Sequence, residues 1–175
     1  TTVGAKKPTI YLDTTVLSSD WYEGTDVLAL GRRIATREWW ETERLYFSVW
    51  VSAVTEDELE AGRFPRQTET LAMVRRQRFL PMLVSARKFA EQLIRQHVVP
   101  SSKPGDALQM AIAAVHRMDF LLTWNYAHLA NPIAQQHLEA VCRKAGWRAP
   151  WMVSPETIPK VALGQTIRRR RDDDS

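Results

Sequence analysis

The sequence predicts an α/β fold of three layers, α/β/α, with helices on both faces of a central, mainly parallel sheet. Two observations lead there. Short apolar or β-branched runs alternate with longer stretches of helical period along the whole chain. The 175 residues, 45% of them hydrophobic, suffice for one sizeable core, whereas two complete domains would be cramped.

Each element follows in order. Thr9-Ile10-Tyr11-Leu12 comes after Pro8, is rich in strand formers and stops at Asp13, so it reads as a first, central strand. From Asp26 the apolar positions Val27, Leu30 and Ile34 recur at helical spacing up to the Trp39-Trp40 pair, after which Leu45 to Val51 reads as a second strand. A short helix is expected next, with Thr55 and Glu58 at the spacing of a capping box and Gly62 and Pro65 as its stop. Pro65 to Phe79 reads as a basic helix and Pro81-Met82-Leu83-Val84 as a short apolar strand. The following helix carries Phe89, Ala90, Leu93 and Ile94 on one face and breaks at Pro100. Pro100 to Gly105 is dense in turn formers and ends in Asp106, which suits the cap of the next helix. That helix shows the stripe Ala107, Ala111, Ala114 or Val115, and Met118, and leads into Phe120-Leu121-Leu122-Thr123, a continuous buried strand. Pro132 to Ala145 is a last long helix with Leu138, Val141, Cys142 and Ala145 inward and Gly146 as its C-terminal signal. A strand near Trp151 to Val153 closes the domain, which is expected over 9–158, between an N-terminal extension at 1–8 and a flexible tail at 159–175.

Composition narrows the partners. The net charge of +4 leans weakly towards a polyanion, and the tail adds little to it because Asp172, Asp173 and Asp174 follow Arg168 to Arg171. A single cysteine, Cys142, permits no intramolecular disulfide and suits a cytoplasmic location. No run of 18 apolar residues predicts a membrane span, and no secretory leader is expected. His97, His116 and His128 lack metal-ligand spacing, which argues against zinc.

Open parallel sheets bind ligands at the carboxyl ends of their strands. Asp13 follows the first strand, Glu58 lies on the helix after the second, Asn125 falls just past the strand ending at Thr123, and Asp106 starts the helix leading into that strand. Folding would have to gather them. Their oxygens suit a hard cation, Mg2+ or Mn2+, which acidifies a bound water and neutralises phosphate oxygens. Thr14 and Thr123 are candidates to orient a ligand or a water. Plainer roles stand beside these: Asp13 and Asp106 as helix caps, Glu58 as the partner of Thr55, and Asn125 as a turn residue. Arg63, Arg66, Arg75, Arg76 and Arg78 either track a phosphate backbone or form a solvated face. Lys103 is a candidate phosphate contact, and Trp124 is the tryptophan placed for base stacking, whereas Trp39, Trp40 and Trp50 read as core.

Three blocks carry a likeness to a known family. Ile10 to Ser18, Val51 to Gly62, and Gly105 to Ala113 followed by Phe120 to Asn125 resemble, in order and separation, the motifs of the PIN-domain family, and within it the VapC-type toxins of toxin–antitoxin pairs. The likeness spans roughly 9–158 and includes Ser154-Pro155-Glu156. It implies a PIN-like fold and an endoribonuclease that uses Mg2+ or Mn2+ at Asp13, Glu58, Asp106 and Asn125 and leaves a 5′-phosphate and a 3′-hydroxyl. It also implies RNA as substrate, a protein antitoxin that blocks the acidic groove, and a homodimer, whose surface is expected between Pro65 and His97. Two positions depart from the pattern: many members have aspartate where Asn125 stands and asparagine where Thr15 stands. The loss of a charge at Asn125 weakens the hold on a second ion. It keeps open a rival reading, a non-catalytic RNA-binding or interaction module on the same fold. A haloacid-dehalogenase-type phosphatase fits less well, because it needs a second aspartate where Thr15 stands.

Overall fold

Ile10, Tyr11 and Leu12 leave β1 (Thr9–Leu12) with no solvent-facing side, as the middle strand of a doubly covered sheet requires. In the computed structural model, which describes residues 6–19, 24–165 and 167, β1 lies between β2 (Ser48–Ser52) and β4 (Phe120–Leu122). Strands β3 (Arg78–Leu80) and β5 (Trp151–Val153) form the edges, giving the order β3-β2-β1-β4-β5 with every pairing parallel. Among the described residues seven α-helices connect them: α1 (Thr14–Ser19), α2 (Val27–Glu38), α3 (Ala53–Ala61), α4 (Gln67–Val74), α5 (Val84–Arg95), α6 (Pro104–Val115) and α7 (Pro132–Ala145).

Strand alternation sends neighbouring residues of β1 into two different cores. Tyr11 packs with Phe89 and Leu93 of α5, Met110 of α6 and Leu138 of α7, whereas Ile10 and Leu12 pack with Val16 of α1, Trp39 and Val74 of α4. The expected three-layer α/β/α architecture follows, with a sheet that is parallel throughout. The chain winds outwards from β1 to β2 and β3, then returns to place β4 on the other side of β1. That reversal opens a crevice at the carboxyl ends of β1 and β4, where such sheets take their ligands.

Several boundaries differ from the sequence expectation. The strand expected at 81–84 is instead β3 (Arg78–Leu80), in register with Trp50 to Ser52, and Val84 already begins α5. Pro81 brings no N–H to a ladder, so pairing stops before it. The expected helix from Pro65 to Phe79 is correspondingly shortened to α4. Leu45 and Tyr46 do not join β2; they lie exposed in a 3-10 turn (Arg44–Tyr46). Ser52, not Thr55, caps α3: its hydroxyl accepts from the Val54 N–H. Thr55 is buried, donates to the Leu12 carbonyl and bonds the Tyr11 hydroxyl. Lys103 occupies the cap position of α6 and Pro104 its first turn, so Asp106 sits inside the helix. Helix α2 has the expected period, yet Val27 and Ile34 are 83% and 66% exposed, and the residue it buries is Thr36. Past 158, Val161 donates its N–H to the buried Glu43 and starts a 3-10 turn (Val161–Leu163); the Arg168 to Asp174 run lies outside the described residues. Among the described residues no helix is long and apolar enough to cross a membrane.

Candidate active site

Asp13 stands where β1 ends and α1 begins. Its N–H donates to the Leu122 carbonyl (3.0 Å), which fixes the turn against β4. The carboxylate is 4% exposed, and its Oδ2 accepts the hydroxyls of Thr15 and Thr123, both at 2.6 Å. Burial pushes the Asp13 pKa up, against the pull of these hydrogen bonds. Thr15 also accepts from the Trp124 N–H (2.9 Å) and Thr123 from the Asn125 N–H (3.0 Å), which ties the loop after β4 to the same carboxylate.

Glu58 reaches this point from α3. Its Oε2 accepts from the Thr14 hydroxyl (2.5 Å) and from the Gln109 amide (3.2 Å). Gln109, on α6, is 1% exposed, and its Oε1 has no hydrogen-bond partner among the described residues. The first turn of α6 comes so close that a Cβ on Gly105 would lie 2.4 Å from Glu58 Oε1. A glycine is what this approach permits.

Asp106, the next residue, is half-buried, and its Oδ2 accepts from the Asn125 amide (3.1 Å). Asn125 turns its own Oδ1 to the His128 N–H (3.0 Å), and its backbone carbonyl accepts from Leu129 and Ala130. It therefore acts as a turn residue and as a link to Asp106.

The acids feel one another. Burial raises the Glu58 pKa first, and the charges of Asp13 and Asp106 raise it further, while the hydrogen bonds of Thr14 and Gln109 oppose the shift. Asp106 is likewise raised by burial and by Asp13, against the Asn125 hydrogen bond and the charges of His128 and Lys103. Asp13, Glu58 and Asp106, far apart in sequence, thus share one electrostatic neighbourhood. Among the described residues, however, no group of three or more His, Cys, Asp or Glu side chains forms a cluster able to hold a metal ion. Hydroxyls and amides hold the carboxylates instead.

The remaining candidates are placed differently. Lys103 is exposed at the start of α6, with its charge felt at Asp106. Arg75 pairs with Glu56 (2.5 Å) and Glu60 on α3. Arg78 donates to Ser48 Oγ (2.9 Å) and lies over Trp50, at the amino ends of the strands and away from the acids. Trp124 is 3% exposed and donates its indole N–H to Thr36 (2.9 Å), so it is a core residue without a free face for a base. Tyr126 is the exposed aromatic of that loop.

Thr15 and Gln109 were not singled out from the sequence as site residues. Gln109 had one signal, an amide on a helix that otherwise buries Ala107, Met110 and Ala111. In comparisons with known proteins, neither a family model nor a curated protein matches this chain.

Proposed function

We propose that this protein is a metal-dependent endoribonuclease, a VapC-like toxin of PIN type, that hydrolyses RNA phosphodiesters at the crevice where β1 and β4 end. One observation carries the reading: Asp13, Glu58 and Asp106 arrive from three separate segments into one hydrogen-bonded network, in which Thr14, beside Asp13, donates to Glu58, and Asn125, whose N–H donates to the Asp13 partner Thr123, donates its amide to Asp106. Gathered negative charge of this kind is relieved by a cation. The donors are all oxygen, as Mg2+ or Mn2+ requires, and Mg2+ keeps several waters and takes only one or two carboxylates directly, so the lack of a closed cluster is compatible with it. Asp13, Glu58 and Asp106 would hold the ion, with Asn125 beside Asp106. When bound, it would supply Lewis acidity towards water and the phosphate oxygens.

The chain's own residues supply the positioning. Thr15 and Thr123 hold one oxygen of Asp13, and Thr14 and Gln109 hold one of Glu58, which limits the rotamers of both acids. Lys103 brings positive charge to the rim for an incoming phosphate. The same reading carries a cytoplasmic location, an antitoxin and a second copy of the chain as partners.

Cleavage of varied RNAs with Mg2+ or Mn2+ tests it. Asp13→Ala and Asp106→Ala are expected to lower cutting on the order of a hundredfold or more. If the parent cuts no RNA in a metal-dependent way, the second reading stands, a non-catalytic RNA-binding or interaction module. That reading draws on the Asn125 carbonyl being turned to His128.

A further inference from the structure

Arg32, in the middle of α2, carries a charge that nothing anionic meets among the described residues. Among the described residues it forms no ion pair or hydrogen bond, and its Nε is enclosed without a partner. Its guanidinium lies over the rings of Trp124 (5.5 Å to the centroid) and Tyr126 (5.8 Å). Sealing a tryptophan explains part of this arrangement. It does not explain a cation held in a cleft whose described lining has no carboxylate, since burying an unpaired polar group is costly.

That cleft has a volume of about 750 Å³ and is lined by Thr15, Ser18, Arg32, Phe64, Asn125 and Tyr126, among others. Among the described residues that line it there is no Asp or Glu. It adjoins the acids directly, because the Thr15 hydroxyl donates to Asp13 and the Asn125 amide to Asp106. Aromatic walls, hydroxyls and one unpaired guanidinium are the groups that suit a nucleotide: rings for the base, a cation for the phosphate.

We propose that this cleft seats one nucleotide of single-stranded RNA beside the bond to be cut, with Arg32 on its phosphate and Phe64 and Tyr126 against its base. The position of the cut bond rests on the ribonuclease reading; the occupancy of the cleft does not. Arg32 also offsets the repulsion that Asp13, Glu58 and Asp106 exert on an RNA backbone. A duplex, with its bases stacked inside, has none to offer the cleft.

The test is fluorescence anisotropy with a labelled single-stranded RNA octamer in Mg2+ buffer, with Asp13→Asn as the common background so that no arm cuts. Adding Arg32→Gln is expected to weaken binding roughly tenfold and to reduce the salt slope by about one. Tyr126→Leu is expected to weaken it by a similar factor with the slope unchanged. Thermal melts check that each variant is folded. A 4-thiouridine cross-link mapped in the Asp13→Asn protein itself needs neither variant, and should fall on Phe64 or Tyr126. Unchanged affinity in folded variants, equal affinity for a duplex, no RNA binding at all, or cross-links confined to the face around Arg76 and Arg78 would each overturn the proposal. Weakened binding in these variants, together with a parent that never cuts, keeps the cleft and removes the nuclease.

Discussion

At Glu58 a single carboxylate answers to three influences: burial, the charges of Asp13 and Asp106, and the hydrogen bonds of Thr14 and Gln109. Its folded pKa is raised, so between the ordinary carboxylate range and that raised value the folded protein holds more protons than the unfolded one. The stability contributed by protonated Glu58 is therefore full in acid and lost as pH rises through the window. Glu58→Gln removes this loss. Thermal melts of the metal-free proteins at about pH 5 and about pH 7 should show the variant gaining on the parent at the higher pH. A variant that gains nothing between the two would contradict the raised pKa. Gly105→Ala tests the same carboxylate from the other side. Alanine normally favours a helix by about 1 kcal/mol over glycine, but here its Cβ meets Glu58 Oε1. The end of a flexible side chain can swing away, so the melting temperature should change little while cutting falls about tenfold or more. Asp13 and Asp106 were legible as candidates because a strand end and a turn announce them. Thr15 and Gln109 were not, since their partners come from long-range packing that no local spacing encodes.

Helix ends show how far local signals reach. Helix α7 starts at Pro132 and stops before Gly146, as expected, because proline and glycine mark those positions chemically. Helices α5 and α6 finish in the same left-handed turn, with His97 (φ 57°) and Arg117 (φ 55°) where α7 has Gly146 (φ 77°). The N–H groups of Val98 and Met118 bond back to Leu93 and Ala113, as Trp147 does to Cys142. Neither residue type marks the turn in the sequence as glycine does at 146. His97→Gly should relieve about 1 kcal/mol of left-handed strain, raise the melting temperature by about 2–4 °C, and leave RNA cutting unchanged. A lower melting temperature would mean that the imidazole contributes more than its backbone costs. Helix α2 marks another limit: the period of Val27, Leu30 and Ile34 revealed the helix, but not that Val27 and Ile34 would face outwards. Periodicity locates a stripe and is silent about what it meets.

For the whole molecule, the alternation of strands and helices is enough to predict three layers, whereas the position of β3 depends on pairing with β2, which no local pattern encodes. Binding of an ion to the folded state alone stabilises it by mass action. Saturating Mg2+ should therefore raise the melting temperature of the parent and leave that of Asp106→Asn nearly unmoved; equal responses would disconnect the ion from this crevice. The expected homodimer is tested by mass in solution, where a strictly monomeric protein removes it. The strand order has a further consequence for biosynthesis. Asp13 leaves the ribosome before Glu58, and Asp106 and Thr123 follow later still, while β1 waits for β4 to flank it. No nascent chain that ends before α6 owns the complete set of acids, and a proteolytic nick between 61 and 104 leaves them on two fragments that must reassociate to restore it.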